Sequence, residues 1–313
     1  MNDDEYTIKT GLLDVGDGHK IYYQQWGNKD ANPIFFLHGG PGGSLKDGHK
    51  LNFNPELHHV IFHDQRGCGK SIPFGELKNN TTQDLVEDIN KIAEHLKFNN
   101  KKITLYGGSW GSALALIYAV KHPKNVEKML IYGVYTGTKK ETDYIQQGGL
   151  KTHFPESWEN YINIVPADKR NDTVKYYYDK IRDKNQEIAD EHIRRWNTNE
   201  SSAMSIDPDL ANIKLNNQEV DDKARSVAII ECHFFVNNCF IPDKYIYDNA
   251  KKLSKIPILI VQGRHDHVCP PETAYELSKA IGNNCFLHIT PGSHAREGAF
   301  REVIKAYTWS WLN

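Results

Sequence analysis

The sequence predicts an α/β fold, a mostly parallel sheet flanked by helices and carrying a mainly helical insertion. Three observations lead there. Ile103 to Val120 (ITLYGGSWGSALALIYAV) reads as a buried strand, a Gly-rich corner and an apolar helix beginning near Ser109. The runs Ile34–Leu37 and Val60–Phe62 are continuously apolar, as expected of strands covered on both faces. Strand–helix alternation stops near Tyr135 and resumes at Ile256 (IPILIVQGRHD). The stretch between holds long polar and aromatic helical patterns and no convincing buried strand, so about a hundred residues form an insertion. The expected division is a core of residues 1–134 plus 243–313 and a helical cap of residues 135–242.

Composition narrows the classes of function. With 313 residues the chain can bury a substantial core. Its net charge of −2 is spread over mixed charges, so no electrostatic footprint suggests nucleic acid or an anionic membrane. No apolar run is long enough to span a bilayer, and the start MNDDEYTIKT is acidic, the opposite of a secretory signal. Five cysteines, odd in number and without C-x-x-C spacing, argue against a disulfide framework or a zinc site. A cytoplasmic location is the expectation.

The elements follow in order. Residues 6–13 and 19–26 form two strands joined at Gly16-Asp17-Gly18, a hairpin. After the strand at Ile34 comes His38-Gly39-Gly40-Pro41-Gly42-Gly43, whose glycines leave backbone N–H groups accessible. Asp64, Gln65 and Arg66 end the strand at Val60, where an open sheet places functional loops. They could bind substrate; the preferred expectation is that Asp64 and Arg66 pair and brace the loops. Thr81 or Thr82 caps a helix with apolar residues at Leu85, Val86, Ile89, Ile92, Ala93 and Leu96. His122-Pro123 ends the helix after Ser109, and VEKMLIYGV gives the next strand.

Gly107-Gly108-Ser109-Trp110-Gly111 is a G-x-S-x-G corner between strand and helix. It can be an ordinary turn with a capping serine, but here it has a strand before it, a helix after it and partners downstream. Such a turn holds the serine out from a strained backbone and needs small neighbours, which Gly107 and Gly111 supply. Further on, KIPILIVQG ends in Arg264-His265-Asp266, and CFLHITPG ends in Ser293-His294. Parallel strands share polarity, so both ends should emerge beside Ser109. The order Ser, Asp, His suits hydrolases of this architecture. Ser109 is the candidate nucleophile, His294 the base and Asp266 its orienter. His38, His265, His267 and His288 are poorer bases, and Asp221, Asp222 and Asp243 poorer orienters. The backbone N–H groups of Trp110 and Gly40 are the candidate oxyanion donors. This chemistry is acyl transfer to water through an acyl-enzyme, and it requires no metal or organic cofactor.

HGGPGG at 38–43, DQRGCGKS at 64–71, GGSWGSALAL at 107–116 and GRHDHVCP at 263–270 together resemble the proline iminopeptidases. The similarity runs across nearly the whole chain, and QGGLKTHFPESWENY resembles the start of that family's helical cap. It implies the α/β-hydrolase fold, with an eight-stranded, mostly parallel sheet and a helical cap. It also implies a serine aminopeptidase that releases N-terminal proline from short peptides. RRWNTNESS is similar to the family's W-x-x-W-E segment and IECHFFVNNCF to I-E-N-H-Y-F. These matches imply that Glu200 and Glu231 read the free amino group. Two carboxylates facing a cleft would pair a secondary ammonium and reject blocked peptides. Tyr135, Ile145 and Cys269 fall on the family's proline-pocket positions. Asn199 stands where the family usually has Trp, and Pro291 to Ala295 read P-G-S-H-A in place of G-x-G-H-S.

Two other readings stay open. One keeps the fold but broadens the substrate to an aminopeptidase, amidase or esterase. The other is a silent binding protein on a hydrolase scaffold, against which the intact Ser109, Asp266 and His294 argue.

Overall fold

Eight strands join one sheet in the order β1-β2-β4-β3-β5-β6-β7-β8 in a computed structural model that describes residues 5–98, 100–206 and 219–312. The strands are β1 Thr7–Gly16, β2 His19–Gly27, β3 Pro33–Leu37, β4 His59–His63, β5 Ile103–Ser109, β6 Val126–Val134, β7 Ile258–Gly263 and β8 Cys285–Thr290. Only the pairings of β2, with β1 and with β4, are antiparallel; every other pairing is parallel. The hairpin turns where expected, with Gly16, Asp17 and Gly18 all at positive φ. The apolar strands β3, β4 and β7 are buried at every residue, because helices cover both faces.

Helix α1 spans Thr82–His95, and the cap is Thr81: its hydroxyl accepts the Asp84 N–H while the Asp84 carboxylate accepts the Thr81 N–H. Leu85, Val86, Ile89, Ile92 and Ala93 turn inward at helical spacing. Helix α2, Trp110–Lys121, is buried almost all round, which explains its uniformly apolar sequence. It ends at His122-Pro123 as expected.

Between Val134 and Ile258 the described residues form helices and no strand; residues 207–218 of the expected cap lie outside the described residues. The long helices there are α3 Lys139–Gln146, α4 Pro155–Ile162, α5 Thr173–Ile181, α6 Gln186–Ser201 and α7 Asp222–Val236. Their contact is aromatic. Tyr161 stacks on Tyr177 with ring centres 4.4 Å apart, and Trp196 of α6 packs against both. Helix α8, Pro271–Ile281, and helix α9, Gly298–Trp311, complete the layers over the sheet. Among the described residues no helix is long and apolar enough to cross a membrane.

The expected Asp64–Arg66 pair is not formed. Arg66 makes a two-pronged contact with Asp88 of α1, at 2.7 and 2.8 Å, and also donates to the Asn79 carbonyl. Asp64 accepts the backbone N–H groups of Leu45 at 2.6 Å and Lys70 at 2.8 Å. The loop after β4 curls around Asp64, and a methyl at Gly69 would stand 2.3 Å from its carboxylate. The carboxylate is satisfied by its own loop, and the guanidinium turns to the buried acid on the helix.

Candidate active site

Ser109 sits between β5 and α2 at φ 56° and ψ −130°, a conformation that L side chains rarely adopt. The neighbours it needs are small for measurable reasons. A methyl at Gly107 would stand 2.4 Å from the Gly111 carbonyl oxygen, and one at Gly111 would stand 2.1 Å from that of Leu37. Gly108 is equally constrained, since its methyl would meet the Tyr132 ring at 2.0 Å. The glycine loop after β3 passes over the serine: a methyl on Gly39 would lie 3.4 Å from the Ser109 Cβ and 3.9 Å from its Oγ.

At the same sheet edge, His294 Nδ1 lies 3.0 and 2.9 Å from the two oxygens of Asp266. Both oxygens are acceptors, so the Nδ1 proton is donated there and Nε2 keeps its lone pair. Asp266 is itself fixed by the N–H groups of Val268 at 3.1 Å and Cys269 at 2.7 Å, and by the Gln262 amide at 3.1 Å. Burial disfavours the charged form of His294, but the carboxylates of Asp266 and Glu200 outweigh it and hold its pKa above the ordinary imidazole value. The other histidines are engaged elsewhere or distant in role. His288 bonds the Tyr307 hydroxyl at 2.7 Å, His267 packs on the His153 ring, and His265 is exposed. Asp221 caps α7, and Asp243 accepts the Lys139 N–H.

A cavity of about 370 Å³ lies over these groups, lined among others by Gly39, Gly40, Ser109, Glu200, Glu231 and His294. That volume suits a small ligand. Glu231 is 1% exposed, and one of its oxygens accepts the Trp196 indole N–H at 2.6 Å. Its carboxyl meets that of Glu200. Burial, then the like charge of Glu200, pushes Glu231 well above the ordinary carboxylate value; burial raises Glu200 against the pull of His294. Two neighbouring carboxyls, Glu231 buried and Glu200 half-buried, thus face one cavity.

The remaining expected residues divide. The Cys269 thiol is buried against the Ser109 hydroxyl, and burial lifts its pKa well above normal, so it stays neutral. Tyr135 and Ile145 are not among the residues that line the cavity. The Tyr135 hydroxyl faces Thr142 and the Cys239 sulfur, and Ile145 offers its carbonyl to Asn199. Asn199 thereby fills a buried position with a hydrogen bond to α3 while Glu200 reaches the cavity.

Two glutamines escaped the sequence reading as bracing groups. Gln65 is buried; its backbone N–H donates to His38 Nε2 and its side-chain amide to the His38 carbonyl, both at 3.0 Å. Its amide oxygen accepts the Trp110 indole N–H at 2.9 Å. One side chain thus ties the glycine loop to the residue after Ser109. Burial keeps His38 neutral, and its Nδ1 bonds the Gly39 carbonyl. Gln262 spans the Val134 N–H and Asp266. A signal existed for Gln262, the polar residue of an otherwise apolar strand, because a buried amide must find partners.

Known proteins resemble this chain in sequence and in fold. A family described as the alpha/beta hydrolase fold matches residues 32–295. A probable proline iminopeptidase of Leptolyngbya boryana is 37% identical over 290 residues, 92% of this chain and 88% of that protein. The proline iminopeptidase of Arabidopsis thaliana is 39% identical over 275 residues, 87% of this chain and 71% of that protein. Among solved structures, an esterase of Thermogutta terrifontis superposes with a TM-score of 0.66 at 17% identity, covering 98% of this chain and 97% of that one, a likeness of fold alone. With fold, loop motifs and extended identity in agreement, the chain belongs to the proline iminopeptidase family of the α/β hydrolases.

Proposed function

We propose that this protein is a serine aminopeptidase that releases N-terminal proline from short peptides. The observation that carries it is one cavity holding Ser109 and His294 beside the paired carboxyls of Glu200 and Glu231. Residues 135–242 act as a cap whose helices α6 and α7 bring those acids to the edge of the sheet.

His294 takes the Ser109 proton as the oxygen attacks the scissile carbonyl, and Asp266 holds the imidazolium that forms. The N–H groups of Trp110 and Gly40 receive the oxyanion. Collapse breaks the C–N bond, His294 returns the proton to the leaving amine, and water repeats the cycle on the prolyl ester. Glu200 and Glu231 pair the secondary ammonium, which only a free N-terminus carries at neutral pH. A broader aminopeptidase or esterase is the second reading, favoured by the positions of Tyr135 and Ile145 outside the cavity lining.

The test compares a prolyl arylamide with its alanyl analogue and an N-blocked prolyl version. Cleavage confined to the free prolyl compound supports the proposal. Equal cleavage of the alanyl compound supports the broader aminopeptidase, and cleavage of the blocked one removes the amine-reading role. Failure of a fluorophosphonate to label Ser109 would mean a silent scaffold.

A further inference from the structure

The cavity has a second end. Helix α7 turns Lys223, Val227 and Glu231 toward it, at i, i+4 and i+8, so one stripe of the helix runs the length of the site. Eight residues of α-helix span about 12 Å. An extended tripeptide spans about 10–11 Å. Opposite Lys223, the chain leaving the glycine loop through Gly43 and Ser44 brings Lys46 to the same end.

The two ammonium groups meet there. Desolvation, then repulsion by Lys223, pulls Lys46 down to about 8. Neither lysine forms an ion pair with an acid among the described residues. Two acids, Glu219 and Asp221, also face this end; an oxygen of Asp221 is taken up in capping α7, accepting the Ala224 N–H at 2.7 Å. The site therefore has two acids beside the nucleophile, Glu231 buried and Glu200 half-buried, and two adjacent cations about a tripeptide's length away. A zwitterionic peptide carries the complementary charges.

We propose that Lys46 and Lys223 form a subsite for the C-terminal carboxylate of the substrate, so that the cavity holds a short peptide by both ends. This rests on the reading of Glu200 and Glu231 as the amine site. Glu231 fixes the ammonium, Ser109 addresses the first peptide bond, and the remaining residues run along Val227 to the lysines. A carboxylate there relieves the lysine–lysine repulsion, and the fixed length disfavours long peptides.

The experiment compares Pro-Ala-Ala with its C-terminal amide, with a prolyl arylamide as reference. The expected result is a kcat/KM about tenfold higher for the acid than for the amide, expressed mainly in KM and shrinking as salt is raised. In the variant Lys46→Met/Lys223→Met the acid-to-amide ratio should fall to about one, a comparison within one protein that any general loss of activity leaves intact. Equal cleavage of acid and amide by the unaltered enzyme would overturn the proposal, as would a ratio that survives in the double variant. If the arylamide is cleaved while acid and amide are equal, only the carboxylate subsite fails. If the arylamide is not cleaved either, the aminopeptidase reading fails with it.

Discussion

The Ser226 hydroxyl donates to the Gly42 carbonyl at 2.8 Å, joining the helix that bears Glu231 to the loop over Ser109. Gly42 has φ +99°, and a methyl there would stand 2.6 Å from the Ser226 carbonyl oxygen. Cap and loop meet backbone to backbone, with no side chain able to yield. Gly42→Ala must both strain the turn and push α7 outward. The expected loss is about 2 kcal/mol of stability in denaturant unfolding. The rate on free-amine substrates should fall further than on simple esters, because the displaced helix carries the acid. Equal losses on both would mean that the contact serves stability alone.

Gln65 links both segments proposed to supply oxyanion donors. Gln65→Glu keeps the shape, but sets a carboxylate against the His38 carbonyl where an amide N–H now donates. We expect kcat on an ester to fall about 10–100-fold with little change in KM, somewhat less than direct loss of a donor. Affinity for a prolyl aldehyde, whose adduct places an oxygen anion in the same spot, should fall in parallel. A change in KM with kcat intact would refute the assignment.

The backbone at Ser109 stores strain that glycine would relieve. Ser109→Gly should abolish turnover and raise stability by about 1 kcal/mol, the relief of strain being partly offset by the freer unfolded chain. Thermal unfolding beside Ser109→Ala checks this, since alanine keeps the Cβ and should gain less.

Glu231 is costly to the free protein. A buried acid whose folded pKa is raised contributes stability at low pH that is lost as pH rises from the ordinary carboxylate range through the folded value. Glu231→Gln removes that loss and keeps an acceptor for Trp196. It should leave the melting temperature near pH 4 almost unchanged and raise it by about 2 °C at pH 8, roughly 1 kcal/mol. KM for free-amine substrates should rise sharply at the same time. A variant destabilised at pH 8 would contradict a cost of burying the Glu231 charge, and of setting it beside Glu200.

The pH profile follows from His294. A base must be neutral to act, and its pKa is held above the ordinary value, so kcat/KM on an ester should rise with pH through a midpoint above ~6.5. Asp266→Asn removes the charge that raises it and should move the midpoint down while lowering the rate. An acid limb below the ordinary imidazole value in the unaltered enzyme would point to another base.

Legibility in the sequence tracked how local each feature is. The corner at Ser109, the hairpin at Asp17 and the cap at Thr81 depend on a few adjacent residues, and their glycines and hydroxyls announce them. Asp266 and His294 could be located because strand ends in a parallel sheet share one edge. Partners chosen across elements were not legible. Arg66 prefers Asp88, 22 positions away on a helix, to Asp64 two positions away, and nothing in DQRG records where that helix lies. The resemblance implies a pocket position for Tyr135, yet its hydroxyl turns to Cys239, a choice made by packing.

The order of the strands has a consequence for how the protein is made. Strands β7 and β8 close the sheet at one margin, each pairing with the strand before it. Synthesis delivers Ser109 first, then the helix with Glu231, and only afterwards Asp266 and His294. On the proposed assignment, a chain still emerging from the ribosome carries the serine and the paired carboxyls but not the base, so it would not cleave peptides around it. With the proposed base and its orienter docking last, completion of folding would be the step that switches hydrolysis on.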